Sequence, residues 1–173
     1  MTKHLYRTLT WTEARERAQQ GSVIVIPVAA IEQHGYHLPI DTDNVLVEQV
    51  TEEAACRSAG LILTAPMIHY GFNEHNMGFP GTISVRETVF IDFCYDVAHS
   101  FVRQGSDRIL YVNGHGSNQR WRRCCSWPSP AGSSSTRWCS PGRFARRRRP
   151  DRQRRARLLA SPPIDGRAAA RVT

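Results

Sequence analysis

The sequence has no long apolar run. Its longest, Val23 to Ile31, is about half of the roughly 18 residues that a membrane-spanning helix needs, which excludes a spanning chain. A secretory leader is also missing: Met1 to Trp11 carries no apolar core and no small-residue cleavage site, so a cytoplasmic setting without a membrane partner is expected. No C-x-x-C pair occurs among Cys56, Cys94, Cys124, Cys125 and Cys139. An odd count without that spacing suits neither a disulfide framework nor a zinc ribbon, and Cys56 and Cys94 read as small buried hydrophobes. Histidine is absent after Gln119, all seven lying before it. Metal or acid-base chemistry is therefore to be sought in the first 119 residues.

The 173 residues carry 23 Lys+Arg against 15 Asp+Glu, a formal net charge of +8, at a length that allows one ordinary domain. The charge is unevenly spread. Up to Gln119 there are 8 basic and 13 acidic residues; from Arg120 onward there are 15 basic and 2 acidic. Arg, Ser, Ala, Pro and Gly supply 38 of the last 54 residues, and Lys, His, Glu, Met, Tyr and Asn are absent there. No apolar periodicity survives, and Pro128 and Pro130 break the helix that should follow His115. This is the profile of GC-rich coding DNA read in the wrong frame; the other reading is a disordered basic tail. The expected division is a histidine-bearing domain over 1–119, where any metal chemistry belongs, and an Arg/Ser/Pro/Ala-rich tail over 120–173.

Within the first part, Thr10 and Glu13 form a capping-box pattern that opens a helix over Trp11 to Gln20, ended by Gly21. Val23 to Val28 is a near-continuous β-branched apolar run, as in a strand buried on both faces of a parallel sheet. Asn44 to Ser58 reads as a helix closed by Gly60, and Leu61 to Ala65 as a strand ended by Pro66. Met67 to Gly81 is a loop, followed by a β-like Thr82 to Val85. Ser84 and Glu87 suggest a second capping box, with Val89, Phe90, Phe93, Val97 and Phe101 at helical spacing up to Gly105. Arg108 to Val112 is a further strand leading into Asn113-Gly114-His115-Gly116. Strands alternating with helices predict an α/β domain with a mostly parallel sheet. Ligands in such folds bind outside the carboxyl ends of the strands, and three histidine-bearing loops fall there, at Glu32 to Asp43, His69 to His75, and His115.

The segment Ile31 to Asp43 carries the chemistry. In extended chain, i and i+2 project to one side, so Glu32 and His34 can face one point while Gln33 turns away. Asp43, after a loop stiffened by Pro39, can add a carboxylate that bridges two ions, and His115 offers a fourth ligand from a neighbouring strand end. Imidazole with carboxylate suits zinc, manganese or iron rather than calcium. Two ions about 3.5 to 4 Å apart would hold a water and lower its pKa toward 7, giving a hydrolytic nucleophile. Taken singly, each of these side chains is more often a solvated loop residue; it is their conjunction at one sheet edge that points to a metal. His37 and His69 read equally as supporting groups or polar loop residues. Glu74 and His75 read as shaping the site, contacting another subunit, or simply solvated, and His4 and His99 as incidental.

Three motifs resemble the creatininase (creatinine amidohydrolase) family. Glu32-Gln33-His34-Gly35-Tyr36-His37-Leu38-Pro39 with Thr42-Asp43 is similar to its E-x-H-G-x-H-L-P...T-D signature, with Tyr36 in place of a common proline. Glu74-His75 and Phe79-Pro80-Gly81-Thr82-Ile83-Ser84 resemble its E-H...F-P-G-T-x-S segment, and Asn113 to Asn118 its N-G-H-G-G-N. The resemblance covers Leu5 to about Asn118. It implies a three-layer α/β/α fold, incomplete at the C-terminus here, a homo-oligomer (commonly a hexamer), and metal-dependent hydrolysis of a carbon-nitrogen amide bond in a small-molecule substrate. It implies two zinc or manganese ions, iron being a third option. Glu32 and His115 would hold one, His34 the other, and Asp43 would bridge. Ser117 stands where creatininases proper have a metal-binding glutamate. The H-A-G-x-x-E-T-S segment, which carries a proton-transfer histidine in other members, is absent, so no catalytic acid or base is assigned. Creatinine, a formamide on a pyrimidine or flavin precursor, and a peptide terminus as in mycofactocin-precursor peptidases all stay open as substrates. The competing class is a nucleic-acid-binding protein resting on Arg146 to Arg149. A tail without lysine or interleaved aromatics argues against it, so no specific nucleic-acid partner is expected.

Overall fold

The computed structural model describes residues 3–118 and the backbone of residues 137–139. After a single 3-10 turn at Tyr6–Thr8, the elements are α1 (Trp11–Gln19), β1 (Val23–Val28), α2 (Thr42–Arg57) and β2 (Ile62–Thr64). A second 3-10 turn at Glu74–Asn76 precedes α3 (Glu87–Arg103), β3 (Ile109–Asn113) and β4 (Arg137–Cys139). The strands form one sheet in the order β2-β1-β3-β4, and every pairing is parallel. β1 is central, set against β2 through Val23↔Ile62 and against β3 through Ile24↔Ile109 to Val28↔Asn113.

Burial on both faces explains why β1 is apolar throughout. Ile24, Ile26 and Val28 join Leu63, Ala65, Ile109 and Tyr111 beneath Phe90, Cys94, Ala98 and Phe101 of α3. On the opposite face, α2 lies along β1, β2 and β3, burying Val47, Thr51 and Ala55, and the Thr64 hydroxyl donates to the Thr51 carbonyl at 3.1 Å. The result is the expected three-layer α/β/α arrangement. Pro27 lies in this central strand without an N–H to donate. The strand tolerates it because β2 already ends at Thr64, and beyond that point Pro27 only accepts, from the Ile68 N–H at 3.0 Å.

The capping box at Thr10 and Glu13 forms as expected, and glycines with positive φ follow each helix, at Gly21, Gly60 and Gly105. Other expectations need correction. Thr82 to Val85 is no strand; only Ile83 makes an antiparallel bridge, to Ile31. The Ser84–Glu87 box does not form, because the N-cap of α3 is Arg86 with no side-chain cap, and the Ser84 hydroxyl instead accepts from the Asn73 N–H at 3.0 Å. Cys94 is buried, but Cys56 is exposed, one position past the buried α2 stripe of Val47, Thr51 and Ala55. β4 was not anticipated; it pairs with the edge that β3 would otherwise leave open. The remaining expectations for 120–173, including Cys124, Cys125 and the Arg146–Arg149 cluster, lie outside the described residues. Among the described residues, no helix is long and apolar enough to cross a membrane.

Candidate metal centre

Three loops meet at the carboxyl end of the sheet. Leaving β1, the chain passes through buried Ala29 and Ala30 and folds back on itself, with the Glu32 N–H donating to the Ile40 carbonyl at 3.1 Å. Gly35, at φ 72°, turns this loop, and the Thr42 hydroxyl donates to the Pro39 carbonyl at 2.6 Å. That turn starts α2 at Thr42, two residues before the expected start, and puts buried Asp43 in its first turn, where the helix dipole favours a carboxylate. His115 arrives from β3, anchored by the Gly114 N–H on the Val28 carbonyl at 2.8 Å. A side chain at Gly114 would lie 2.9 Å from the Asp43 carbonyl, so glycine is what lets the α2 start approach the β3 end.

All four residues picked out from the sequence come together. Ligand atoms of Glu32, His34 and Asp43 lie within 4.8 Å of one another. His115 joins through Nδ1, 3.1 Å from Glu32 Oε1 and 3.0 Å from Asp43 Oδ2. The other Asp43 oxygen, Oδ1, lies 3.1 Å from His34 Nε2. Asp43 therefore offers one oxygen to each imidazole.

The far nitrogen of each ring sits by a backbone carbonyl: His34 Nδ1 at 3.2 Å from Glu32 O, and His115 Nε2 at 3.3 Å from Phe72 O. A carbonyl takes only a donor, so the tautomer with N–H on that side satisfies both carbonyls. In that tautomer the nitrogen facing the carboxylates presents a lone pair that a cation could take, while in the other it donates to them. For His115, burial opposes the charged ring most strongly. Its hydrogen bond to Asp43, the charges of Glu32 and Asp43 and the Phe72 carbonyl outweigh that and hold its pKa above the ordinary value of 6.5. Two carboxylates and two imidazoles gathered this closely are the ligand types that zinc and manganese take. The donor set thus fits a divalent cation.

Asparagines that the sequence reading gave no role surround the cluster. Asn118 accepts from the Phe72 N–H at 3.1 Å and donates to Ala29 O at 3.1 Å and Asn113 Oδ1 at 3.2 Å. Asn113 in turn brackets the His115 backbone, accepting from its N–H at 3.2 Å and donating to its carbonyl at 2.6 Å. Asn76 donates to Glu32 Oε2. Only the motif N-G-H-G-S-N hinted at any of these. The other histidines stay outside: His37 and His69 are exposed, while His4 and His99 are half-buried elsewhere. Glu74 is exposed on the 3-10 turn Glu74–Asn76. Exposed His75 lies at its edge, its ring 6.3 Å from that of His115 and its Nε2 3.2 Å from the Ser117 hydroxyl.

A family model described as Creatininase: Creatinine amidohydrolase matches residues 7–126. A 3-dehydro-scyllo-inosose hydrolase of Thermotoga maritima is 36% identical over 112 residues, covering 64% of this chain and 35% of that protein. A creatinine amidohydrolase of Pseudomonas putida is 32% identical over 116 residues, 64% of this chain and 44% of the relative. A mycofactocin precursor peptide peptidase of Mycolicibacterium smegmatis is 33% identical over 100 residues, 56% and 40% respectively. Among solved structures, a mutant creatininase of the zinc-zinc type superposes with a TM-score of 0.65 at 29% identity, covering 70% of this chain and 48% of that one. The chain thus spans between about a third and a half of the length of these relatives.

Proposed function

The chain belongs to the creatininase family, and from that premise we propose that it carries the metal centre of a hydrolase that cleaves a carbon-nitrogen amide bond. The observation that bears most weight is the placement of Asp43, whose two oxygens face two different imidazoles, His34 and His115. A carboxylate so placed is suited to bridging. Glu32 with His115 would hold one zinc or manganese ion and His34 would hold a second.

Such an ion, when bound, polarises a carbonyl and lowers the pKa of a coordinated water. The protein's part is to present the ligands ready-made. Carbonyls at Glu32 and Phe72 fix the ring orientations, and two carboxylates balance the positive charge. These four side chains are committed to holding metal, so the proton for the leaving nitrogen must come from another group. The family segment that resemblance assigns to this task is absent from the sequence, and Ser117 offers the second ion no carboxylate. His34 and one Asp43 oxygen would be the protein's ligands for a second ion, too few to hold it tightly.

The substrate class is a small cyclic or linear amide, a peptide end being the second reading, supported by the mycofactocin precursor peptide peptidase among the relatives. A homo-oligomer belongs to the same proposal and is supported by exposed Val45, Leu46 and Val50 on α2. We further propose that residues after Gln119 are read out of frame. Resequencing the codons for Asn118 to Trp127 tests this, a single restored base that reveals an H-A-G-x-x-E-T-S segment being the expected result. Hydrolysis of creatinine and of a formamide panel should be undetectable or very weak for the 173-residue chain, should rise in the frame-restored protein, and should vanish there with Glu32→Gln. Equal rates for the two proteins would refute the reading.

A further inference from the structure

Glu32 is the one carboxylate of the cluster whose two oxygens have unlike surroundings. Oε1 lies 3.1 Å from His115 Nδ1, while Oε2 accepts from the Asn76 amide. The same Asn76 nitrogen donates to Asn73 Oδ1 at 3.0 Å. Two acceptors around one end of the amide fix its orientation, because its oxygen turned that way would face two oxygens. Asn73 is itself immobilised. It is fully buried, its side chain donates to the Ile31 carbonyl at 3.1 Å, and its backbone N–H is held by Ser84. The chain Ser84, Asn73, Asn76, Glu32 therefore runs from a rigid loop to one oxygen of a candidate ligand.

We propose that Asn76 is a positioning residue that keeps Glu32 a one-oxygen ligand. With Oε2 engaged by an N–H donor, Oε1 is the oxygen that faces His115 and is left to meet a cation beside it. That restriction favours a compact ion with few ligands, such as zinc, over calcium, which takes six to eight oxygens and often both from one carboxylate. Groups of this outer kind typically change metal affinity 10- to 100-fold. The inference rests on the metal-centre reading above.

The test compares the full chain with Asn76→Ala, Asn76→Ser and Glu32→Gln, by zinc titration and by the visible spectrum after loading with cobalt(II). Serine is too short to reach Glu32 yet stays polar, so it serves if alanine fails to fold. Both Asn76 variants should bind zinc about 10- to 100-fold more weakly, and their cobalt bands should weaken as Glu32 swings to supply both oxygens and raises the coordination number. A merely structural defect would lower the melting point without that spectral change. Zinc affinity and cobalt spectra equal to the parent's in both variants, with Glu32→Gln still damaging, would overturn the role of Asn76 alone. A parent chain that takes up no zinc, or a Glu32→Gln variant that binds as the parent does, would instead overturn the metal-centre reading.

Discussion

Gly71 is the position where a single methyl group should do most damage to the site without touching a candidate ligand. A Cβ there would lie 2.4 Å from Asn118 Oδ1, 2.8 Å from its Nδ2 and 2.6 Å from the Ala29 carbonyl oxygen. None of these can retreat cheaply: one is β1-proximal backbone, and the others belong to a buried amide with three hydrogen bonds. Overpacking of this kind costs about 1–3 kcal/mol, and each buried partner left unsatisfied adds about 1–3 kcal/mol. Gly71→Ala should therefore destabilise the protein by roughly 3 kcal/mol or more. Gly116→Ala is the control, since a Cβ there meets nothing within 4 Å, and its effect should stay within about 0.5 kcal/mol. Urea unfolding of the three proteins, followed by far-ultraviolet circular dichroism, measures both. Because Phe72 links Asn118 to His115, zinc affinity should fall in Gly71→Ala as well. If Gly71→Ala unfolds at the same urea concentration as Gly116→Ala, the close packing of the Gly71, Ala29 and Asn118 loops is not what holds the site.

Other expectations follow from single contacts. Alkylation mapped by mass spectrometry should modify exposed Cys56 well before buried Cys94; equal labelling under native conditions would contradict the placement of both helices. Thr10→Ala should cost about 1 kcal/mol through loss of the α1 cap, read as a lower urea midpoint. The Glu13 carboxyl is held down to about 2, chiefly by its hydrogen bond from Lys3 and then by those from Thr10. A depressed carboxyl stabilises above its ordinary value near 4.5 and ceases to as the pH falls through about 2. An NMR titration of Glu13 should show that low midpoint and its rise in Thr10→Ala; an unchanged midpoint would remove the capping box from the account.

The fold was legible where one physical demand dominated. A six-residue, β-branched apolar run is short for a helix and suits a strand covered on both sides, and the Thr10–Glu13 spacing has few other uses. Glycine after each helix likewise admits the positive φ that ends it. Local patterns misled where a distant partner took the group in question. Ser84 has the spacing of a cap for α3, yet Asn73 claims its hydroxyl. Thr82 to Val85 has strand-like residues, yet Ile31 gives it only a single bridge. Cys56 was misjudged although the period of Val47, Thr51 and Ala55 already points it outward. At the site, Glu32, His34, Asp43 and His115 were readable because the loop connections bring acid and imidazole groups together at one sheet edge, a conjunction that solvated loop residues seldom make. Asn73, Asn76 and Asn118 were not, since asparagine is common in loops and its role there depends on contacts made across 40 or more residues.

If Glu32, His34, Asp43 and His115 hold metal as proposed, the metal content of the chain reports it directly. Metal analysis of the purified 173-residue chain after saturation with zinc and gel filtration should find fewer than two ions per chain, and His115→Ala should remove most of what binds. Two tightly held ions would mean that a ligand has been overlooked. Retention of the parent's zinc content by His115→Ala would contradict the metal centre itself.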